Sequence, residues 1–154
     1  MNYISQKAKY AIKVLIALAK EDGTTLFHNN ELAERERIPP KFLEIILREL
    51  RNAGVLHSRR GKGGGYSLAQ HPSSITLGQV LRLIDGPQAP LPCLSRMSYR
   101  KCDECIDEHT CGIRLSMQII YDATSRLLDS TTLTDIIRRA DVAKAGTGAL
   151  SFDI

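Results

Sequence analysis

Four cysteines, Cys93, Cys102, Cys105 and Cys111, fall within 19 residues of a 154-residue chain. Their spacing is Cys93-x8-Cys102-x2-Cys105-x5-Cys111. Thiolates are soft ligands, and four in one loop can satisfy an iron–sulfur cluster or a tetrahedral zinc ion. The Cys102-x2-Cys105 pair suits zinc as well as iron. In a cytoplasmic chain such a group points to metal or redox chemistry rather than to structural disulfides. Asp103, Glu104, Asp107 and Glu108 crowd the same loop. Beside an anionic cluster they would favour its oxidised form, whereas as a solvated acidic surface they would do nothing.

A second group carries charge without acids. Arg59, Arg60 and Lys62 lie in Val55-Leu56-His57-Ser58-Arg59-Arg60-Gly61-Lys62-Gly63-Gly64-Gly65-Tyr66-Ser67-Leu68. Glycines between two short apolar runs read as a hairpin turn. The spacing predicts a cationic finger, with Arg59, Arg60 and Lys62 at its tip, able to reach DNA phosphates or a minor groove. A solvated basic hairpin is the plainer alternative.

Composition sets the frame. The chain is 43% hydrophobic and 25% charged, with a net charge of +4, within reach of one domain or one domain with an appendage. The positive excess is uneven: residues 1–90 hold 13 Lys+Arg against 8 Asp+Glu, and residues 91–154 hold 8 against 9. That places the polyanion-facing half at the N-terminus. No apolar run approaches the ~20 residues of a membrane span. Met1-Asn2-Tyr3-Ile4-Ser5 lacks the layout of a secretion signal, so a cytoplasmic location is expected, with no membrane partner.

The elements that must position these groups follow from periodicity. Ala8, Ala11, Ile12, Leu15, Ile16 and Ala19 predict a helix over 5–20 capped by Ser5. Asn30 is the expected cap of a short helix over 31–37. Pro39-Pro40 opens the next, which buries Phe42, Leu43, Ile46, Leu47 and Leu50 and stops at Gly54. Short helix, tight turn, second helix and hairpin make a winged helix-turn-helix, whose second helix enters the major groove. Lys41, Glu44, Ile45 and Arg48 lie off its buried stripe. Glu44 reads equally as a cytosine contact or as a solvated acid.

Thr76 and Gln79 form an expected capping box for a helix burying Leu77, Val80, Leu81 and Ile84. After a proline-punctuated linker and the cysteine loop comes a long helix, about 112–129. Its Ile113, Met117, Ile120 and Leu127 form a narrow seam suited to a second copy, or to the chain's own first helix. Thr132 caps a last helix over 133–140, and residues 141–154 are expected to be a disordered tail. The fold class is therefore mainly α with a small β-hairpin wing: a winged helix-turn-helix over 1–86, a linker and cysteine loop over 87–111, and a dimerisation helix with a C-terminal helix over 112–140.

Several of these stretches together resemble the Rrf2 family of winged-helix regulators, of the IscR, NsrR and CymR type. They are Ser5–Ala19 with Tyr10, Phe42-Leu43-Glu44, Leu50-Arg51-Asn52-Ala53-Gly54, Arg60 to Leu68, and Ile75-Thr76-Leu77 through Ile84-Asp85-Gly86. The resemblance implies a homodimeric transcription regulator whose long helices cross between subunits, read as a repressor with an activator as the alternative. Two wings and two recognition helices would then grip a near-palindromic double-stranded operator. By position it makes Lys41 and Glu44 recognition-helix contacts and Arg59, Arg60, Gly61 and Lys62 wing contacts. Ile45 departs from the glutamine of some members.

The same resemblance implies a 2Fe-2S or 4Fe-4S cluster held by the cysteine loop. Cluster-binding members carry three cysteines, the last two separated by five residues, as Cys105 and Cys111 are, with Cys93 or Cys102 as the third. A histidine three residues after the last cysteine serves some members as fourth ligand, and Arg114 stands there. Others use an acid from the partner's first helix, where the counterpart is Lys9. The fourth cysteine would fill the gap, with His109 in reserve. Structural zinc and a metal-free thiol switch remain as alternatives, and an iron–sulfur electron carrier on a winged-helix scaffold is a further one. No phosphate loop, zinc-protease helix or nucleophile elbow is present, and His28, His57, His71 and His109 form no evident pair with acids, so an enzyme is not expected.

Overall fold

In the computed structural model, which describes residues 4–21 and 25–146, the first expected helix forms as α1, Gln6–Ala19. The Ser5 hydroxyl accepts from the Ala8 amide at 3.0 Å, as an N-cap should. Ser5 also donates through its amide and its hydroxyl to the Asp85 carboxylate, which ties this helix start to a residue 80 positions later.

The second helix, α2, spans Asn29–Glu36 and begins earlier than a cap at Asn30 would give. The Leu32 amide donates to the His28 carbonyl at 3.1 Å, so the first turn already closes there and Asn30 lies inside it. α2 ends on Arg37, whose φ of 56° is left-handed. The Ile38 amide donates to the Ala33 carbonyl at 2.9 Å, and the Ile38 side chain is buried. That is a Schellman-type stop with arginine at the position glycine usually takes.

α3, Pro40–Asn52, opens on proline as expected and buries Leu43, Ile46, Leu47 and Leu50. Phe42 stays half-buried at the edge, its ring set edge-on to Tyr10 at 5.8 Å. Gly54, with φ 73°, turns the chain out of α3. Strands β1, Leu56–Arg59, and β2, Gly65–Leu68, then pair antiparallel from Leu56↔Leu68 to Arg59↔Gly65. Arg59 is therefore the last strand residue, not part of the tip.

α4, Leu77–Asp85, is capped by Thr76, whose hydroxyl accepts from the Gln79 amide at 3.2 Å. The return bond from the Gln79 side chain is not made among the described residues. A complete capping box forms instead at Thr132, where Asp135 accepts from the Thr132 amide at 3.0 Å. The Thr132 hydroxyl and amide hold the Asp135 carboxyl below the usual carboxylate range. The cap is thus complete above the ordinary carboxylate pKa and weakens as pH falls through the lowered one.

α5 runs from Gly112 to Ser130 and α6 from Leu133 to Lys144. α6 therefore passes the expected end at Ala140, and residues 141–144 of the expected tail are helical. The expectation for 147–154 lies outside the described residues. α5 packs mainly on α4 and on the short turn at Pro92–Leu94. α6 reaches the first helix: it packs on α1 and on the turn at Pro72–Ser74. Leu133 is fully buried in one core with Leu15, Leu32, Leu43, Leu47 and Val80.

Two stability changes follow. Leu133→Ala is expected to cost about 2–5 kcal/mol in urea unfolding, because it hollows the core shared by α1, α3 and α4. Arg37→Gly is expected to stabilise by roughly 0.5–1 kcal/mol, since glycine adopts this backbone without a Cβ clash. A melting temperature at or below that of the parent chain would contradict the second.

Candidate nucleic-acid interface and thiol pocket

The exposed side of α3 carries Lys41, Glu44, Ile45 and Arg48. Arg48 lies 3.4 Å from Glu44, an i,i+4 ion pair with both side chains 58% exposed. Such a pair is worth only about 0.3–0.5 kcal/mol, so either partner is easily released to another contact. Glu44 is therefore neutralised by its neighbour in the free chain. Lys41 has no side-chain hydrogen bond or ion pair among the described residues.

The wing tip, Arg60-Gly61-Lys62-Gly63, is exposed. The Gly64 amide closes it by donating to the Gly61 carbonyl at 2.9 Å. Arg59, Arg60 and Lys62 have no acidic partner among the described residues. The root of the wing is fixed by a feature that sequence reasoning missed. The Phe27 amide donates to the Tyr66 carbonyl at 3.1 Å, and the Tyr66 amide donates back at 2.9 Å. The lead-in to α2 is thus a third partner for the hairpin. The Phe27 ring is buried, and the Arg35 guanidinium lies over it at 5.4 Å from the ring centre. The only sequence signal was a lone aromatic ahead of a polar helix.

This close approach explains the glycines. A Cβ on Gly65, where φ is 143°, would lie 2.7 Å from the Phe27 carbonyl oxygen. On Gly64 it would lie 2.1 Å from the Arg59 carbonyl oxygen, while Gly63 faces open space.

The four cysteines come from four local settings. Cys93 is buried in the Pro92–Leu94 turn, Cys102 is exposed, Cys105 is half-buried, and Cys111 is the N-cap residue of α5. All four are free thiols, and all line one open cavity of about 350 Å³. Cys105 and Cys111 are neighbours in its wall. Partial desolvation pushes the Cys105 thiol up, and the neighbouring Cys111 adds to the effect. Arg100, Lys101, Asp103, Glu104 and Arg114 complete the polar part of the wall.

The structure thus gathers the thiols into one cavity but not into coordination. Among the described residues no three or more His, Cys, Asp or Glu side chains are grouped at ligand geometry. By donor chemistry, four sulfurs facing one cavity fit an iron–sulfur cluster or zinc. His109 does not line this cavity, and Lys9 is exposed on α1. Arg114 does line it, with its Nε 3.9 Å from Glu108 and without a hydrogen-bond partner among the described residues.

The four loop acids separate into two kinds. Asp103 and Glu104 face the cavity. Asp107 folds the loop by accepting from the His109 amide at 2.9 Å and the Thr110 hydroxyl at 3.0 Å, and these bonds hold its carboxyl below the usual range. Glu108 accepts from the Tyr99 hydroxyl, which holds that phenol above its ordinary value.

α5 leads away from the cavity with its apolar side open. Ile113, Ile119 and Leu127 are 69%, 73% and 68% exposed, and no α5 residue among those described is buried. Gly78 lets α4 approach closely, since a Cβ there would lie 2.2 Å from the Asp129 carboxylate. Asp129 also pairs with Arg82. No helix among the described residues is long and apolar enough to cross a membrane.

The wing root gives a direct test. Gly65→Ala is expected to destabilise by roughly 2–3 kcal/mol, because backbone rather than a side-chain tip must move. Gly63→Ala should leave the melting temperature unchanged. Equal unfolding midpoints for the two variants would show that the Phe27–Tyr66 tie is dispensable.

Comparison with known proteins agrees with this architecture. Residues 4–139 match the Rrf2 family, described as iron-dependent transcriptional regulators. An rrf2-like HTH-type transcriptional regulator of Rhodobacter capsulatus is 45% identical, over 91% of this chain and 95% of its own. Among solved structures, CymR, the global cysteine regulator of B. subtilis, superposes with a TM-score of 0.71 at 32% identity, over 88% of this chain and 96% of its own. T. potens IscR superposes at 0.68 and 25% identity, over 98% and 95%. The winged helix-turn-helix, the regulator-type relatives and the length of the match agree: the chain belongs to the Rrf2 family of transcriptional regulators.

Proposed function

We propose that two copies of this chain join through the open apolar side of α5 and bind a near-palindromic double-stranded operator as a cytoplasmic repressor. The observation that carries this reading is a wing hydrogen-bonded to the helix-turn-helix whose cations have no acidic partner among the described residues. Lys41 and Glu44 on α3 would face the major groove, with Glu44 giving up Arg48 to accept from a cytosine amine. Arg59, Arg60, the Gly61 backbone and Lys62 would meet the adjacent phosphates or minor groove. An α5 with such exposed Ile and Leu needs a cover, and a second α5 supplies one of matching shape.

Control is assigned to the thiol pocket. Cys93, Cys102, Cys105 and Cys111 would hold an iron–sulfur cluster in place of the histidine or acid ligands that Arg114 and Lys9 cannot supply. Such a cluster, when bound, supplies a redox- and iron-sensitive link between its ligands. The chain's own part is mechanical. Cys111 starts α5 and Cys93 sits in the turn that α5 packs against, so constraining both sulfurs fixes where α5 begins. Through α4, which contacts both α5 and α1, that position sets the spacing of the two DNA-reading heads. A metal-free thiol switch is the second reading, favoured by the four free thiols lining one cavity and by the likeness to CymR. Zinc on the same four sulfurs is a third.

Protein purified without oxygen should be brown, with sulfide-to-iron charge-transfer absorption and acid-labile sulfide, and should bind operator DNA differently once the metal is removed. A colourless zinc-bearing sample, or one without metal, selects an alternative; equal operator affinity with and without the group removes the sensing role. Neutralising Arg59, Arg60 and Lys62 together should lower affinity and flatten the salt dependence by about one unit of slope for each phosphate that is no longer neutralised.

A further inference from the structure

We propose that Arg37 is a DNA-phosphate contact at the corner of the helix-turn-helix. This inference rests on the DNA-binding reading above. Arg37 is the one non-glycine residue with positive φ among those described. That conformation strains an L-residue, and glycine or asparagine would relieve it. Strain of this kind points to function when the side chain has no local role. Here it has none: Arg37 is exposed and makes no side-chain hydrogen bond or ion pair among the described residues.

Its neighbours behave differently. Arg35 pairs with Glu21 at 3.1 Å and lies over Phe27, and Lys13 donates to the Glu36 carbonyl at 2.5 Å. Arg35 and Lys13 are thus occupied, whereas Arg37, like Lys41, is left open among the described residues. Its backbone is held on both sides, by its own amide on Ala33 and Glu34 and by the buried Ile38 that follows. Only the side chain is free to search.

Position decides what it can reach. Arg37 precedes Pro40, the first residue of α3, by three residues, and at ~3.4 Å per residue the two lie within about 10 Å. A helix-turn-helix lays the start of its second helix in the major groove, so this corner lies beside the phosphates that border it. A planar guanidinium held there would take a phosphate with two hydrogen bonds. Such a contact fixes register on the duplex and carries no sequence information.

The test uses the full chain and a fluorescein-labelled DNA duplex of mixed sequence, titrated over a salt series by anisotropy. The parent chain must first show salt-dependent binding; if it does not, the DNA-binding reading fails before this inference is reached. Arg37→Gly should then bind roughly three- to tenfold more weakly while melting at a higher temperature. Its plot of log affinity against log salt should flatten by about 0.9 of slope for one released phosphate. Arg37→Lys should keep most of that slope. Arg37→Asn, which tolerates the left-handed backbone, should repeat the loss without depending on glycine's flexibility. If Gly and Asn variants bind with the parent's affinity and slope, Arg37 does not touch DNA.

Discussion

Two backbone hydrogen bonds between Phe27 and Tyr66 make the wing part of the helix-turn-helix instead of an appendage. Without them a two-stranded hairpin would be marginal in water, and its cations would sample many positions. With them the tip projects from a fixed root, so charge at Arg60 and Lys62 has a defined relation to the exposed side of α3. Everything proposed about DNA depends on that fixed relation, because two weak contacts strengthen one another only when their spacing is set in advance. Gly65 is what allows the tie to form, and Phe27 anchors its other end in the core.

The head then extends to an unexpected place. Leu133 fills the same core as Leu15 and Leu47, and a backbone bridge between Thr76 and Thr132 brings the starts of α4 and α6 together. α5 thus leaves the head and is returned to it, pinned at its far end by the turn into α6. At its near end it starts from Cys111, in the thiol pocket. Under the control proposed above, a change at one fastening would shift this helix as a unit. The pocket thus sits at one of the two fastenings of α5.

Charge follows the same division. Many of the head's cations are matched to acids, as Lys7 is to Glu49 and Arg48 to Glu44. Those on the wing, Lys41 and Arg37 are not, among the described residues. In the cysteine loop the acids divide between folding the loop and facing its cavity, so the loop's acidity is partly structural. Asp107 and Glu108 would be needed for loop shape even if the cavity held nothing.

The sequence by itself determined the element types, because apolar periodicity and the Pro, Gly and Ser punctuation act within a few residues. α1, α3, the hairpin, α4 and α5 were legible in that way, as was the gathering of four thiols. Only tertiary structure decided what those elements touch. That Phe27 pairs with Tyr66, that Asp85 holds Ser5, and that α5 lies on α4 are contacts between residues far apart in the chain. The left-handed Arg37 was illegible for a related reason: nothing in an arginine announces positive φ, which arises because Ile38 must turn inward to the core. The separate roles of Asp103, Glu104, Asp107 and Glu108 were hidden likewise, since four similar carboxylates differ only in the donors that the folded loop turns toward each.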